Sequence, residues 1–106
     1  MKIIDLQTIS ARPYEQRDKN VLYQGDHFKT RIIELAEGEK LPPGEPCEMA
    51  SDVIFYIVSG RIGLSINEEY AEVTKDQCVI SEPALYQMEA KESSKILGIQ
   101  IQKPGK

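Results

Sequence analysis

Reactive side chains are scarce in this sequence: one histidine, two cysteines and an acidic stretch that runs through residues 37–52. His27 would serve as a general base or a single metal ligand if it faced a pocket. Its position at the head of the apolar run HFKTRIIELA favours a surface or strand-edge residue instead. Cys47 lies between Glu45 and Glu48. Neighbouring carboxylates raise a thiol's pKa, which makes Cys47 a poor nucleophile and a better soft group at the mouth of a pocket. Cys78, inside Cys78-Val79-Ile80, reads as a buried core residue, and both cysteines are expected to be free thiols. Glu37, Glu39, Glu45 and Glu48, partly offset by Lys40, form an acidic rim that would disfavour anionic substrates such as sugar phosphates. No Ser-His-Asp arrangement, phosphate-cradling glycine loop or cysteine-zinc knuckle is present.

The elements that must position these groups read as strands. In DVIFYIVSGRIGLSIN, residues 52–67, a β-branched and aromatic run ends at Ser59-Gly60, and Ile62, Leu64 and Ile66 then alternate with Arg61, Gly63 and Ser65. The first run predicts a strand buried on both faces. The second predicts a strand with one face in a core and the other nearer water. Residues 2–9 predict a first strand, 13–20 a polar surface loop or a helical turn, 21–24 a short apolar strand and 27–36 the next strand. Three prolines within Leu41-Pro42-Pro43-Gly44-Glu45-Pro46 forbid helix interior and central strand, leaving a rigid extended lip. A short edge strand at 47–50 follows. Residues 70–73 should pair back on 61–66, residues 78–80 form a short buried strand, and 86–90 and 95–102 form the last two. Short strands at this spacing, with no amphipathic helix, predict an antiparallel sandwich or barrel.

A chain of 106 residues and 12.0 kDa supports one ordinary core. Thirteen basic against seventeen acidic side chains give a net charge of −4 and a pI near 5.0, with no basic cluster, so a nucleic-acid partner is not expected. No apolar run reaches the length of a membrane span, and MKIIDLQTIS carries an acid within its apolar residues. The expectation is a soluble cytoplasmic protein with no membrane partner.

Gly38-x-x-Leu41-Pro42-Pro43 followed by Asp52-Val53-x-Phe55-Tyr56-Ile57-Val58-Ser59-Gly60 resembles the first motif of the small single-domain cupins. Lys75-Asp76, Val79-Ile80-Ser81-Glu82-Pro83 and Tyr86 resemble the second. The resemblance covers roughly residues 28–102. It implies an all-β, cupin-like double-stranded β-helix, a jelly-roll barrel that is commonly dimeric and holds its pocket inside. Residues 1–106 would form this one domain, with 1–27 as N-terminal strands and loop and 28–102 as the barrel core. Cupins usually hold a divalent metal with two histidines and an acid from the first motif and one histidine from the second. Here no histidine falls at those positions in any register. Asp52 stands for the acid and Tyr86 replaces the last histidine.

That pattern implies a degenerate metal site and no cofactor. Tyr86 and Met88 share a strand face, which the family frame points into the barrel, and Asp52 is the natural partner for the Tyr86 hydroxyl. Two readings stay open there: a polar anchor for a small ligand, or a Tyr-carboxylate bond that fills the space of a metal. The leading functional reading is a small-molecule-binding barrel of unassigned activity, with Asp52, Tyr86, Met88, Cys47 and Glu48 lining its pocket. One alternative is a metal-dependent enzyme of dioxygenase or isomerase type using Cys47, Glu48, Asp52 and Tyr86. The other is a structural or regulatory module that docks its acidic lip on another protein. The N-terminal strand is expected to pack on a second copy, giving a homodimer.

Overall fold

Alternation of apolar and polar residues builds ten strands, and the computed structural model describes residues 1–102 of the chain. In chain order they are β1 (Val21–Gln24), β2 (Phe28–Leu35), β3 (Lys40–Leu41), β4 (Cys47–Met49) and β5 (Asp52–Ser59). Then come β6 (Arg61–Ile66), β7 (Glu69–Thr74), β8 (Cys78–Ser81), β9 (Ala84–Ala90) and β10 (Ser94–Ile101). They form two five-stranded antiparallel sheets, one ordered β1-β2-β10-β5-β8 and the other β3-β9-β6-β7, with β4 also paired to β9. The architecture is the expected all-β jelly roll.

The core lies between the two sheets, and period two decides which residues enter it. Val53, Phe55 and Ile57 of β5 and Ile96 of β10 face Ile62 and Leu64 of β6 and Met88 and Ala90 of β9. Strand β5 is therefore buried on one face rather than both: Ile54 and Tyr56 are half-buried, and the Tyr56 hydroxyl donates to Asp76 Oδ1 at 2.6 Å. The turn after β5 does not close a hairpin. It carries the chain from the first sheet to the second, so β5 pairs with β8 and β10 while β6 pairs with β7 and β9. Gly60 makes this corner at φ +88°, and a β-carbon there would run into the Ser94 hydroxyl and the Ser93 carbonyl. Buried Ser94 ties the corner to the β9–β10 turn, accepting from the Arg61 N–H at 3.0 Å and donating to the Glu92 carbonyl at 2.7 Å.

Two segments differ from their sequence reading. Strand β8 is an edge strand rather than a buried one. Its register puts Val79 and Ser81 on the core side, opposite Phe55 and Val53, and leaves Cys78 exposed and Ile80 76% exposed. Residues 2–9 form no strand. The Asp5 carboxylate accepts the Gln7 N–H at 2.9 Å, and the Asp5 carbonyl accepts the N–H groups of Thr8 and Ile9 at 3.3 and 3.2 Å. A local turn thus takes the donors a ladder would need.

The N-terminal segment instead lies as a strap across the outer face of the first sheet. Lys95, on that face of β10, donates from Nζ to the carbonyls of Leu6 and Ile9 at 3.0 and 2.6 Å, and the Ala11 N–H donates to Glu34 Oε1 at 2.6 Å. Ile4 and Leu6 enclose an apolar pocket of about 370 Å³ with Leu22, Tyr23, Phe28 and Leu97. Of the two forms open to the polar run, loop or helical turn, the helical one is found: a 3-10 helix, Tyr14–Asn20. Asn20, only 6% exposed, closes it by accepting the Arg12 N–H at 2.7 Å and donating to the Arg12 carbonyl at 3.0 Å. Among the described residues no helix is long and apolar enough to cross a membrane.

Candidate functional site

Two sheets packed face to face leave little room for polar groups between them, so those that do point inward mark the site. Strand β2 sends Ile33 and Leu35 against the core, and the same face carries Arg31, opposite Gly98 of β10. The Arg31 Nε is buried without a hydrogen-bond partner, and among the described residues no carboxylate lies within ion-pair distance of it.

The second sheet supplies the groups that face it. Tyr86 of β9 shares the inner face with Met88 and lies directly across from Cys47 of β4 on one side and Ile66 of β6 on the other. Its ring sits 5.9 Å from that of Phe55, tilted by 34°. Burial pushes the Tyr86 phenol up to about 12. Cys47 and Tyr14 reinforce that shift through their charged forms, and the positive charge of Arg31 opposes it. Tyr86 and Cys47 are thus neighbours across the β4–β9 ladder, while Tyr14 and Arg31 share a pocket wall.

A pocket of about 750 Å³ opens along the seam between β2 of the first sheet and β3 of the second. Tyr14, Arg31, Ile33, Leu35, Leu41 and Pro43 line one side of it, and Ala11 and Arg12 of the strap with Glu34 and Lys95 of the outer face line the other. Tyr14 is held there by Arg17, whose guanidinium lies 4.1 Å above its ring and donates to its carbonyl at 3.0 Å. The proline lip belongs to the same side. Gln87, on the outer face of β9, clamps it by donating from Nε2 to the carbonyls of Pro42 and Gly44 at 3.0 and 2.7 Å.

Strand parity sorts the residues expected to form the pocket. Cys47, Tyr86 and Met88 fall on the inner face together, with Cys47 exposed at the mouth and Met88, 1% exposed, as a floor packed in the core. Glu48 sits opposite Leu85 on the other face of β4. Asp52 alternates with Val53, so the inward position at the head of β5 belongs to the valine and the Asp52–Tyr86 hydrogen bond does not form. The set Cys47, Glu48, Asp52 and Tyr86 is thus split between faces. Among the described residues no three His, Cys, Asp or Glu side chains come close enough to hold a metal ion. His27 is exposed, as expected, and its carbonyl accepts the Gln102 N–H at 2.8 Å.

Arg31 and Tyr14 escaped the sequence reading. The signal for Arg31 was present, because it stands two and four residues before Ile33 and Leu35 and so shares their face. Tyr14 left none, being one aromatic in a polar run whose docking depends on the Asn20 clasp.

No protein-family model matches this chain, and no curated protein matches it. Solved structures do. A conserved protein of unknown function from Streptococcus pyogenes, SPY1581, superposes with a TM-score of 0.76 at 17% identity, covering 98% of this chain and 90% of that one. TT1209 from Thermus thermophilus gives 0.76 at 16% identity, covering 98% of this chain and 100% of that one. A cupin superfamily protein from Desulfitobacterium hafniense, DSY2733, gives 0.72 at 17% identity, covering 92% of this chain and 87% of that one. At these identities the likeness is one of fold.

Proposed function

We propose that this chain, which has the fold of the small cupins, binds a small organic molecule inside its barrel without the histidine metal cage usual in that family. The observation that carries this reading is an opening of about 750 Å³ lined by Arg31 and Tyr14, a size suited to a small ligand, with Tyr86 and Cys47 paired on the inner face of the second sheet. Ligand enters along the β2–β3 seam, meets Tyr14 and Arg31 first, and rests against Tyr86 and Cys47 with Met88 beneath. Asp52 and Glu48 contribute charge at the rim rather than contacts. Two free, exposed thiols support a reducing, cytoplasmic setting.

The outer face of the first sheet supports a homodimer. Phe28, Ile80 and Ile101 expose apolar surface there, and the N-terminal strap crosses the same face with Ile3 87% exposed.

Ligand-observed NMR on untagged, chelator-treated protein tests the binding reading against mixtures of small neutral and anionic organic molecules. Saturation transfer to at least one compound with the chelator still present is the expected result. Binding that appears only after a divalent transition metal is restored would overturn it.

A further inference from the structure

We propose that the ligand of this barrel is a small carboxylic acid with an apolar body, its carboxylate gripped by the Arg31 guanidinium and the phenols of Tyr86 and Tyr14. The proposal rests on the small-molecule reading above and names the chemistry of its ligand.

An arginine keeps its charge at any physiological pH, and a buried guanidinium nitrogen without a partner is costly unless something occupies it in the working state. Arg31 is in that condition. The other charged groups along the seam are already engaged or face water. Glu34 accepts the Ala11 N–H, Glu39 accepts the Ala36 N–H at 2.7 Å, Lys95 holds the strap, and Arg17 holds Tyr14. Arg12, Glu15 and Lys40 are exposed.

The surroundings of Arg31 also lack an anionic acceptor among the described residues. Tyr86 keeps its proton far above neutral pH, so it offers an O–H, as does Tyr14, and Cys47 offers only a weak S–H donor. Arg31 and Tyr14 donors on the wall of one pocket call for an oxyanion. A carboxylate matches the planar fork of a guanidinium in bidentate geometry and carries the single negative charge that one arginine neutralises. Of the acidic lip only Glu39 lines this pocket, so the bias against anions read from the sequence does not govern it. That acidic rim alone pointed to neutral or cationic ligands, and the inward arginine reverses the preference for a monoanion. Beside Arg31, the pocket residues Ile33, Leu35 and Leu41 offer apolar contact to the body of the ligand.

Matched acid and amide pairs test this on the intact, untagged chain by isothermal titration calorimetry: benzoate against benzamide, and hexanoate against hexanamide. We expect at least one acid to bind tenfold or more tightly than its amide. Arg31→Gln should abolish that preference, and Arg31→Lys should retain part of it. The acid–amide comparison on the unaltered protein needs no variant to fold. An amide that binds as well as its acid, or a preference that survives in Arg31→Gln, overturns the proposal and leaves the barrel reading standing. Failure of every acid and every amide to bind at millimolar concentration overturns both.

Discussion

Tyr86 shows how one side chain ties the candidate site to the stability of the fold. Its phenol is raised to about 12 chiefly by burial, so the folded state holds the proton more tightly than the unfolded chain does. The stabilisation is whole below the unfolded value of about 10 and is lost as pH climbs through the folded one. Urea denaturation across that window should show the decline, and Tyr86→Phe should make it shallower. A residual slope remains in the variant because Tyr56, held up first by its hydrogen bond to Asp76, titrates in the same direction. An identical decline in both proteins would mean that Tyr86 is not the buried phenol described. Among single residues, Tyr86 and Met88 were legible in the sequence because period two places them on one face. Asp52 was misread for the same kind of reason: one step of parity separates it from Val53, and the family likeness drew attention to the acid rather than to its apolar neighbour.

At the scale of elements, local hydrogen bonding explains where patterning failed. The apolar residues of 2–9 look like a strand, yet Asp5 engages the Gln7, Thr8 and Ile9 amides in a turn, and Lys95 anchors the result through two carbonyls. Charged hydrogen bonds of this partly buried kind contribute roughly 1–2 kcal/mol together once solvent competition is counted. Lys95→Met should therefore free the strap: amides of residues 5–11 would exchange with solvent faster, and limited proteolysis would cut there first, while β5 and β10 stay protected. Unchanged protection of residues 5–11 would remove Lys95 as the anchor. The short β8 was misjudged because Cys78, Val79 and Ile80 are all apolar, and a run of three cannot show which face is covered. Its neighbours decided that, with Val79 packing on Phe55 and Ile80 left outside. Strands β2, β6, β9 and β10 were longer, and their alternation was sufficient, whereas the unbroken apolar run of β5 hid the half-buried side of Ile54 and Tyr56.

For the whole molecule, the exposed apolar face of the first sheet and the strap that crosses it make association the expected behaviour. Light scattering coupled to size-exclusion chromatography should give about twice 12.0 kDa at micromolar concentration, and a strictly monomeric chain would set the homodimer aside. The jelly roll itself was readable because strand spacing, turn residues and the proline lip all constrain the same topology. The site was less so, since Arg31, Tyr14 and Tyr86 come from distant parts of the chain and meet only when the two sheets close. The central claim is that this meeting point holds a small organic ligand, and amide chemical-shift mapping on isotope-labelled protein tests it most directly. Titration with benzoate should move the amides around Tyr14, Arg31, Leu41 and Tyr86 together, with one saturation curve. Shifts confined to the outer face of the first sheet, or scattered over the surface without saturation, would contradict the account.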